Sequence, residues 1–141
     1  RGGGVRTAHE EAGLRAAPTL VRWGDFEAAA GYRHALDLLS QENPPTGIFA
    51  GSDMQALGVI RAARQLGLRV PEDLSVVGYD NLPFTEWTNP PLTTVTQPLR
   101  EMGALGAQIL MTLARGEQPG TQSLELGTEL VERGSTAPPS R

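Results

Sequence analysis

Gly47-Ile48-Phe49-Ala50-Gly51-Ser52-Asp53 is the stretch on which the fold turns. Its short apolar run, bounded by turn-forming residues, reads as a buried strand. Ser52 or Asp53 then caps a helix that runs to residue 66, with Gly67 as its stop. On a helical wheel over 53–66, Ala56, Val59, Ile60 and Ala63 make an inward stripe. Met54 and Leu57 fall on the opposite side, beside Arg61, Arg64 and Gln65. Exposed apolar residues among long basic side chains resemble a subunit interface, although scattered surface apolar residues are common.

Upstream, residues 5–12 read as the tail of a helix ending at Gly13. Residues 19–23 are short and extended in character, and Asp25 is placed to cap the next helix. That helix covers 27–39, where Ala29, Tyr32, Leu36 and Leu39 recur on one face. Asn43-Pro44-Pro45 stops it.

Downstream, residues 70–73 form a turn and 74–79 a second buried strand. Residues 80–91 are a loop containing three prolines, and the β-branched run 93–96 is a third strand. Pro98 opens a helix whose apolar stripe is Leu99, Met102, Gly106, Ile109, Leu110 and Leu113, ended by Gly116. The alternation over 122–126 predicts a strand, with Leu130-Val131 continuing it. The Ser/Thr/Pro-rich tail from Ser135 is expected to fray. Strands alternating with helices make this an α/β protein, with a parallel sheet and helices on both faces.

Composition narrows the function. In 141 residues, 39% are hydrophobic, which allows a packed core. With 12 basic and 16 acidic residues the net charge is −4, and no basic run offers a nucleic-acid footprint. The absence of cysteine excludes disulfides, thiol nucleophiles and cysteine-ligated zinc. No apolar stretch approaches the roughly 20 residues that span a bilayer. Arg1 stands where a start would carry methionine, so the chain reads as a truncated or processed product.

In open parallel sheets, ligands bind outside the carboxyl ends of the strands. The residues there are Ser52-Asp53 after the first strand, Asp80-Asn81 after the second and Gln97 after the third, with Phe26 following the extended segment. Carboxylates and amides suit vicinal hydroxyls, and an aromatic face suits a sugar or planar base. Each has a plainer reading: Ser52-Asp53 as an N-cap, Asp80-Asn81 as a turn, Phe26 as a helix staple, Gln97 as a helix-start residue. Their convergence on one sheet edge favours a site.

Enzymatic signatures are weak. A nucleophile elbow around Ser52 needs glycines two positions either side, where Ala50 and Met54 stand. His9 and His34 lie in helices without a second ligand at metal spacing. The Gly2-Gly3-Gly4 run follows no strand and lacks the lysine of a phosphate loop. No catalytic residue, metal or cofactor is expected.

Three stretches and an ending carry a resemblance. They are Pro45-Thr46-Gly47-Ile48-Phe49-Ala50-Gly51-Ser52-Asp53-Met54-Gln55-Ala56-Leu57-Gly58, Val70-Pro71-Glu72-Asp73-Leu74-Ser75-Val76-Val77-Gly78-Tyr79-Asp80-Asn81, Pro90-Pro91-Leu92-Thr93-Thr94-Val95-Thr96-Gln97, and Glu132-Arg133-Gly134-Ser135-Thr136. In order and spacing the chain resembles the LacI/GalR transcriptional regulators. The resemblance implies a periplasmic-binding-protein-like (type I) lobe, the C-terminal half of a two-lobed effector domain. Residues 1–94 would build the C-terminal lobe, 95–121 a hinge crossover and a helix of the N-terminal lobe, and 122–141 the return strand and tail.

By the same resemblance Arg1 would contact the effector, Phe26 would stack on it, and Ser52 followed by Asp53 would stand at its edge. Asp80 would accept its hydroxyls or base edge, and Gln97 would lie at the hinge side. Met54, Leu57 and Arg61 would belong to a dimer interface. Ser52 stands where many relatives carry asparagine, and a hydroxyl cannot offer an amide's paired donor and acceptor. The expected function is cytoplasmic: a small effector, a sugar first and a purine or nucleoside second, tunes a homodimer that meets operator DNA only through a helix-turn-helix head outside this chain. A sugar-transport binding protein of the same fold is the alternative, and an α/β enzyme the third reading.

Overall fold

A computed structural model describes residues 2–13, 17–120 and 123–139. Four strands form one sheet in chain order: β1 (Gly47–Phe49), β2 (Ser75–Asp80), β3 (Thr93–Thr96) and β4 (Glu129–Val131). The first three run parallel, with Phe49 opposite Val77 and Val77 opposite Thr93. β4 returns antiparallel on β3, pairing Leu130 with Val95, so the expected parallel sheet is a mixed one. The strand predicted over 122–126 does not form among residues 123–126, and Gln122 lies outside the described residues.

The helices are α1 (Gly2–Glu11), α2 (Ala28–Leu39), α3 (Asp53–Gln65) and α4 (Leu99–Ala114). α2 packs on α3, and α3 lies on β2. The core is their shared layer: Ala56, Val59, Ile60 and Ala63 of α3 against Leu74, Val76 and Leu92, all buried. The predicted inward stripe of α3 is the observed one.

Tight helix packing explains one correction on α2. The predicted face was Ala29, Tyr32, Leu36 and Leu39, but the buried residues are Ala30, Gly31, Ala35, Leu38 and Leu39. A β-carbon on Gly58 would stand 2.0 Å from the Ala28 carbonyl oxygen, and one on Gly31 would stand 2.1 Å from that of Gln55. The two backbones touch, so small residues take the contact line and larger ones such as Tyr32 move to its margin.

Other expectations shift at element ends. α2 begins two residues late for Asp25: Glu27 holds the N-cap position and no side chain caps the helix. Residues Pro18–Leu20 make a single 3-10 turn, after which Val21 is extended but joins no strand. Arg22 pins this segment to α2 by bonding Asp37 at 2.6 Å and the Thr19 carbonyl at 2.7 Å. β1 is an edge strand and not a buried one, leaving Phe49 40% exposed. The loop 80–91 contains a further 3-10 turn, Pro83–Glu86.

Helices were expected on both sheet faces, but among the described residues the helical layer covers one. Phe49, Val77, Tyr79 and Val95 share the other face by register and stay partly exposed there, with Phe49 and Tyr79 edge to face at 6.4 Å. α4 has no buried residue, and Leu99, Met102, Leu110, Met111 and Leu113 are all exposed.

The tail does not fray at Ser135. That residue is fully buried. Its hydroxyl accepts from the Thr93 amide at 2.8 Å and donates to the Val76 carbonyl at 2.6 Å. Its own carbonyl accepts the Val76 amide at 2.8 Å. The tail thus closes the lower end of β2 and β3, a role its composition conceals.

Candidate functional site

Because β1, β2 and β3 are parallel, their carboxyl ends share one edge of the sheet. Gly51-Ser52 follows β1, Asp80 ends β2, and Gln97 follows β3. The residues predicted from sequence therefore gather along this edge, apart from Arg1, which lies outside the described residues.

Phe26 sits at the near end, 61% exposed. Its ring edge lies over Gly51, 3.5 Å from where a β-carbon on Gly51 would stand. The backbone beneath the ring is tied to the start of α3. The Ser52 hydroxyl donates to the Phe26 carbonyl at 3.1 Å, and the Gln55 side chain donates to the Asp25 carbonyl at 2.7 Å.

Ser52 also accepts the Gln55 amide at 3.1 Å, so it is the N-cap of α3. Its hydroxyl is buried and engaged on both sides. Gln55 was not singled out in the sequence. Its position three residues after a capping serine is the capping-box signal that marks it.

Asp53 is fully buried. One carboxylate oxygen accepts the Thr94 hydroxyl at 2.5 Å, and the other accepts the Leu82 amide at 2.7 Å. Burial pushes its carboxyl above the usual carboxylate range; the bonds from Thr94 and Leu82 oppose that shift, and the charge of Asp80 adds to it. Asp53 thus stands under the edge and holds the chain that leaves β2.

That chain turns through two consecutive left-handed residues, Asp80 at φ 115° and Asn81 at φ 54°. Neither is glycine, so the surroundings must hold the turn. Asn81 is anchored by its side-chain amide on the Thr96 hydroxyl at 2.6 Å and by the Arg133 guanidinium at 2.9 Å. The Asp80 carboxylate accepts the Gln97 side-chain amide at 2.6 Å. Gln97 in turn lines an open hollow of about 520 Å³ at the root of α4, with Pro98, Leu99, Arg100, Glu101 and Ala104. The edge presents an aromatic face, a half-buried carboxylate and an amide, a set suited to a small molecule rich in hydroxyls.

A second surface lies on the outer side of α3. Met54 is exposed and Leu57 is partly so. Arg61 stacks its guanidinium 5.0 Å from the Tyr32 ring. Leu57, Arg61 and Arg64 line a groove of about 450 Å³ with Phe84, Trp87 and Asn89. Trp87 is 84% exposed. Phe84 and Trp87 come from the proline-rich loop, where no periodicity marks them.

Among the described residues no cluster of three or more histidine, cysteine or acidic side chains is placed to hold a metal ion. No described helix is long and apolar enough to cross a membrane.

Residues 1–136 match the periplasmic binding protein-like domain family. The chain belongs to that family. As a periplasmic binding protein-like domain it is 39% identical over 133 residues to the HTH-type transcriptional repressor CytR of Escherichia coli K12, covering 94% of this chain and 39% of CytR. It is 40% identical over 134 residues to the repressor PurR of Proteus mirabilis, covering 95% of this chain and 39% of PurR. The domain therefore spans about two fifths of the length of these repressors. Its fold matches that of the transcriptional regulator CelR solved in complex with cellobiose, with TM-score 0.88, 39% identity, and coverage of 94% of this chain and 40% of CelR. It also matches a LacI-family regulatory protein from Chloroflexus aggregans at TM-score 0.83 and 30% identity, over 95% of this chain and 48% of that one. The relatives of this domain are LacI-family regulators, and the resemblance read from the motifs holds. These relatives are transcriptional repressors and regulators, not enzymes.

Proposed function

We propose that the chain is the effector-sensing and dimerising part of a LacI-family repressor, and that its effector is a sugar. The observation that carries this reading is the pair Asp80 and Gln97, joined at 2.6 Å on the carboxyl edge, with exposed Phe26 at the same edge. In this reading Phe26 stacks on the apolar side of the sugar, and Asp80 and Gln97 bond its hydroxyls. Ser52 and Asp53 act from beneath by fixing Phe26 and the turn after Asp80. Arg1, which precedes α1 in sequence, adds a donor.

The sugar lies between this lobe, residues 1–94, and an N-terminal lobe that completes the cleft. Residues 95–121 cross into that lobe and 122–141 return. The unburied apolar stripe of α4 supports this division, since a helix with that pattern requires a partner. By linkage, a sugar that favours one lobe orientation shifts the population of the DNA-competent state. DNA is met through a helix-turn-helix head outside these residues, in the cytoplasm. A second copy of the chain covers the groove at Leu57, Phe84 and Trp87, with Met54 and Arg61 at its rim.

Isothermal calorimetry with cellobiose tests the ligand. Binding that Asp80→Ala weakens by about 2 kcal/mol supports the reading, because charge-assisted bonds to hydroxyls carry that magnitude. Binding that is indifferent to Asp80→Ala rejects the assigned edge.

A further inference from the structure

Arg133 stands far from Asp80 in sequence, yet its guanidinium reaches the residue beside it. Nη2 donates to the Asn81 side-chain oxygen at 2.9 Å, and Nη1 donates to the Leu92 carbonyl at 2.9 Å and the Thr85 hydroxyl at 3.1 Å. The side chain is 14% exposed. Its pairing with Glu86 at 3.3 Å is with a largely exposed carboxylate and contributes little. The backbone of Arg133 is fixed as well, since its amide donates to the Thr93 hydroxyl at 3.0 Å.

The planar fork reaches these acceptors from two separate nitrogens, whereas an ammonium would have to meet them from a single atom. What the fork holds is a turn that L-residues disfavour. Asp80 and Asn81 both have positive φ, so the direction of the Asp80 side chain depends on Asn81 being clamped. Thr96 clamps it from β3, and Arg133 clamps it from the segment that follows β4.

We propose that Arg133 is a positioning residue for the ligand acceptor Asp80, acting through Asn81. The inference rests on the reading of Asp80 as that acceptor. Its consequence is that the returning segment after β4 is mechanically joined to the ligand edge: displacing β4 from β3 removes one of the clamps on Asn81 and lets Asp80 turn away from Gln97.

The test uses the whole chain and the side-chain amide signal of Gln97 in ¹H–¹⁵N spectra, which needs no ligand. Arg133→Met is expected to shift that signal and to speed its hydrogen exchange about tenfold, the loss of one charge-assisted bond. Asn81→Gly keeps a backbone tolerant of positive φ but removes the clamp, and is expected to do the same. With both changes together the effect should equal that of Asn81→Gly alone, because the link from Arg133 runs through Asn81. Affinity for cellobiose should fall about tenfold in Arg133→Met, at least as much in Asn81→Gly, and no further in the double variant than in Asn81→Gly.

An unmoved Gln97 signal in Arg133→Met, or full additivity in the double variant, overturns the inference. If Arg133→Met does not fold, Arg133→Lys and Asn81→Gly decide: a Gln97 signal unmoved in both overturns it. Failure of the wild-type chain to bind cellobiose counts against the sugar reading alone, and the Gln97 signal still decides the role of Arg133.

Discussion

The hydroxyl of Ser135 donates to the carbonyl of Val76 at 2.6 Å, across 59 residues of sequence. The same oxygen accepts the Thr93 amide, so one side chain from the tail bridges two neighbouring strands. Neither backbone group is open to water there, since Ser135 is fully buried. Ser135→Ala leaves a donor and an acceptor unmet and should cost about 2 to 3 kcal/mol of stability. Urea denaturation measures this; a loss below about 0.5 kcal/mol, the scale of a surface change, would show the tail to be outside the cooperative unit.

Asp53 has a pH signature of opposite sign to most carboxylates. Burial raises its pKa in the folded chain, so the folded state holds this proton more tightly than the unfolded state. Between the ordinary aspartate value and the raised one, the Asp53 contribution to stability falls as pH rises; it is fully present below that window. In Asp53→Asn the amide oxygen accepts Leu82 and the amide group donates to Thr94, so the fold survives. The stability of wild type minus that of the variant should therefore grow as pH is lowered through the window. A difference that shrinks on acidification refutes the assignment.

The contact between α2 and α3 is sensitive to a single methyl group. Gly58→Ala places a β-carbon 2.0 Å from the Ala28 carbonyl oxygen and 2.5 Å from the Tyr32 nitrogen, both backbone atoms that cannot rotate aside. The helices must separate, at a cost of about 3 kcal/mol, despite the gain in helix propensity. Thermal unfolding should show a large drop in Tm. An unchanged or raised Tm would mean that the helices do not pack this closely.

Leu57→Glu puts a charge into the groove shared with Phe84 and Trp87. If a second copy covers that groove, sedimentation should report a shift toward monomer at micromolar concentration, since an unpaired charge in an interface core costs several kcal/mol. A dimer that persists through this substitution assigns the interface elsewhere.

Several features were legible without coordinates because they are local. The cap at Ser52, the stop at Gly67, the inward stripe of α3 and the β-branched strand β3 all follow from periodicity and backbone preference over a few residues. The strand-end residues Ser52, Asp80 and Gln97 were legible because parallel strands deliver their carboxyl ends to one edge; Phe26 joins that edge although the segment before it forms no strand. Ser52 and Asp53 were harder to read: a cap and a ligand contact require the same residue types, and only burial and hydrogen-bond partners separate them.

The sequence by itself determined the family, the α/β order of elements and the sheet edge along which the candidate site residues gather. These rest on short motifs and on the periods 2 and 3.6, which a linear pattern records. Only the tertiary structure decided that β4 runs antiparallel, that α2 turns its small residues to α3, that Ser135 is locked inside, and that Arg133 reaches Asn81. Each of these depends on partners tens of residues apart, and their distance and direction are set by packing in three dimensions.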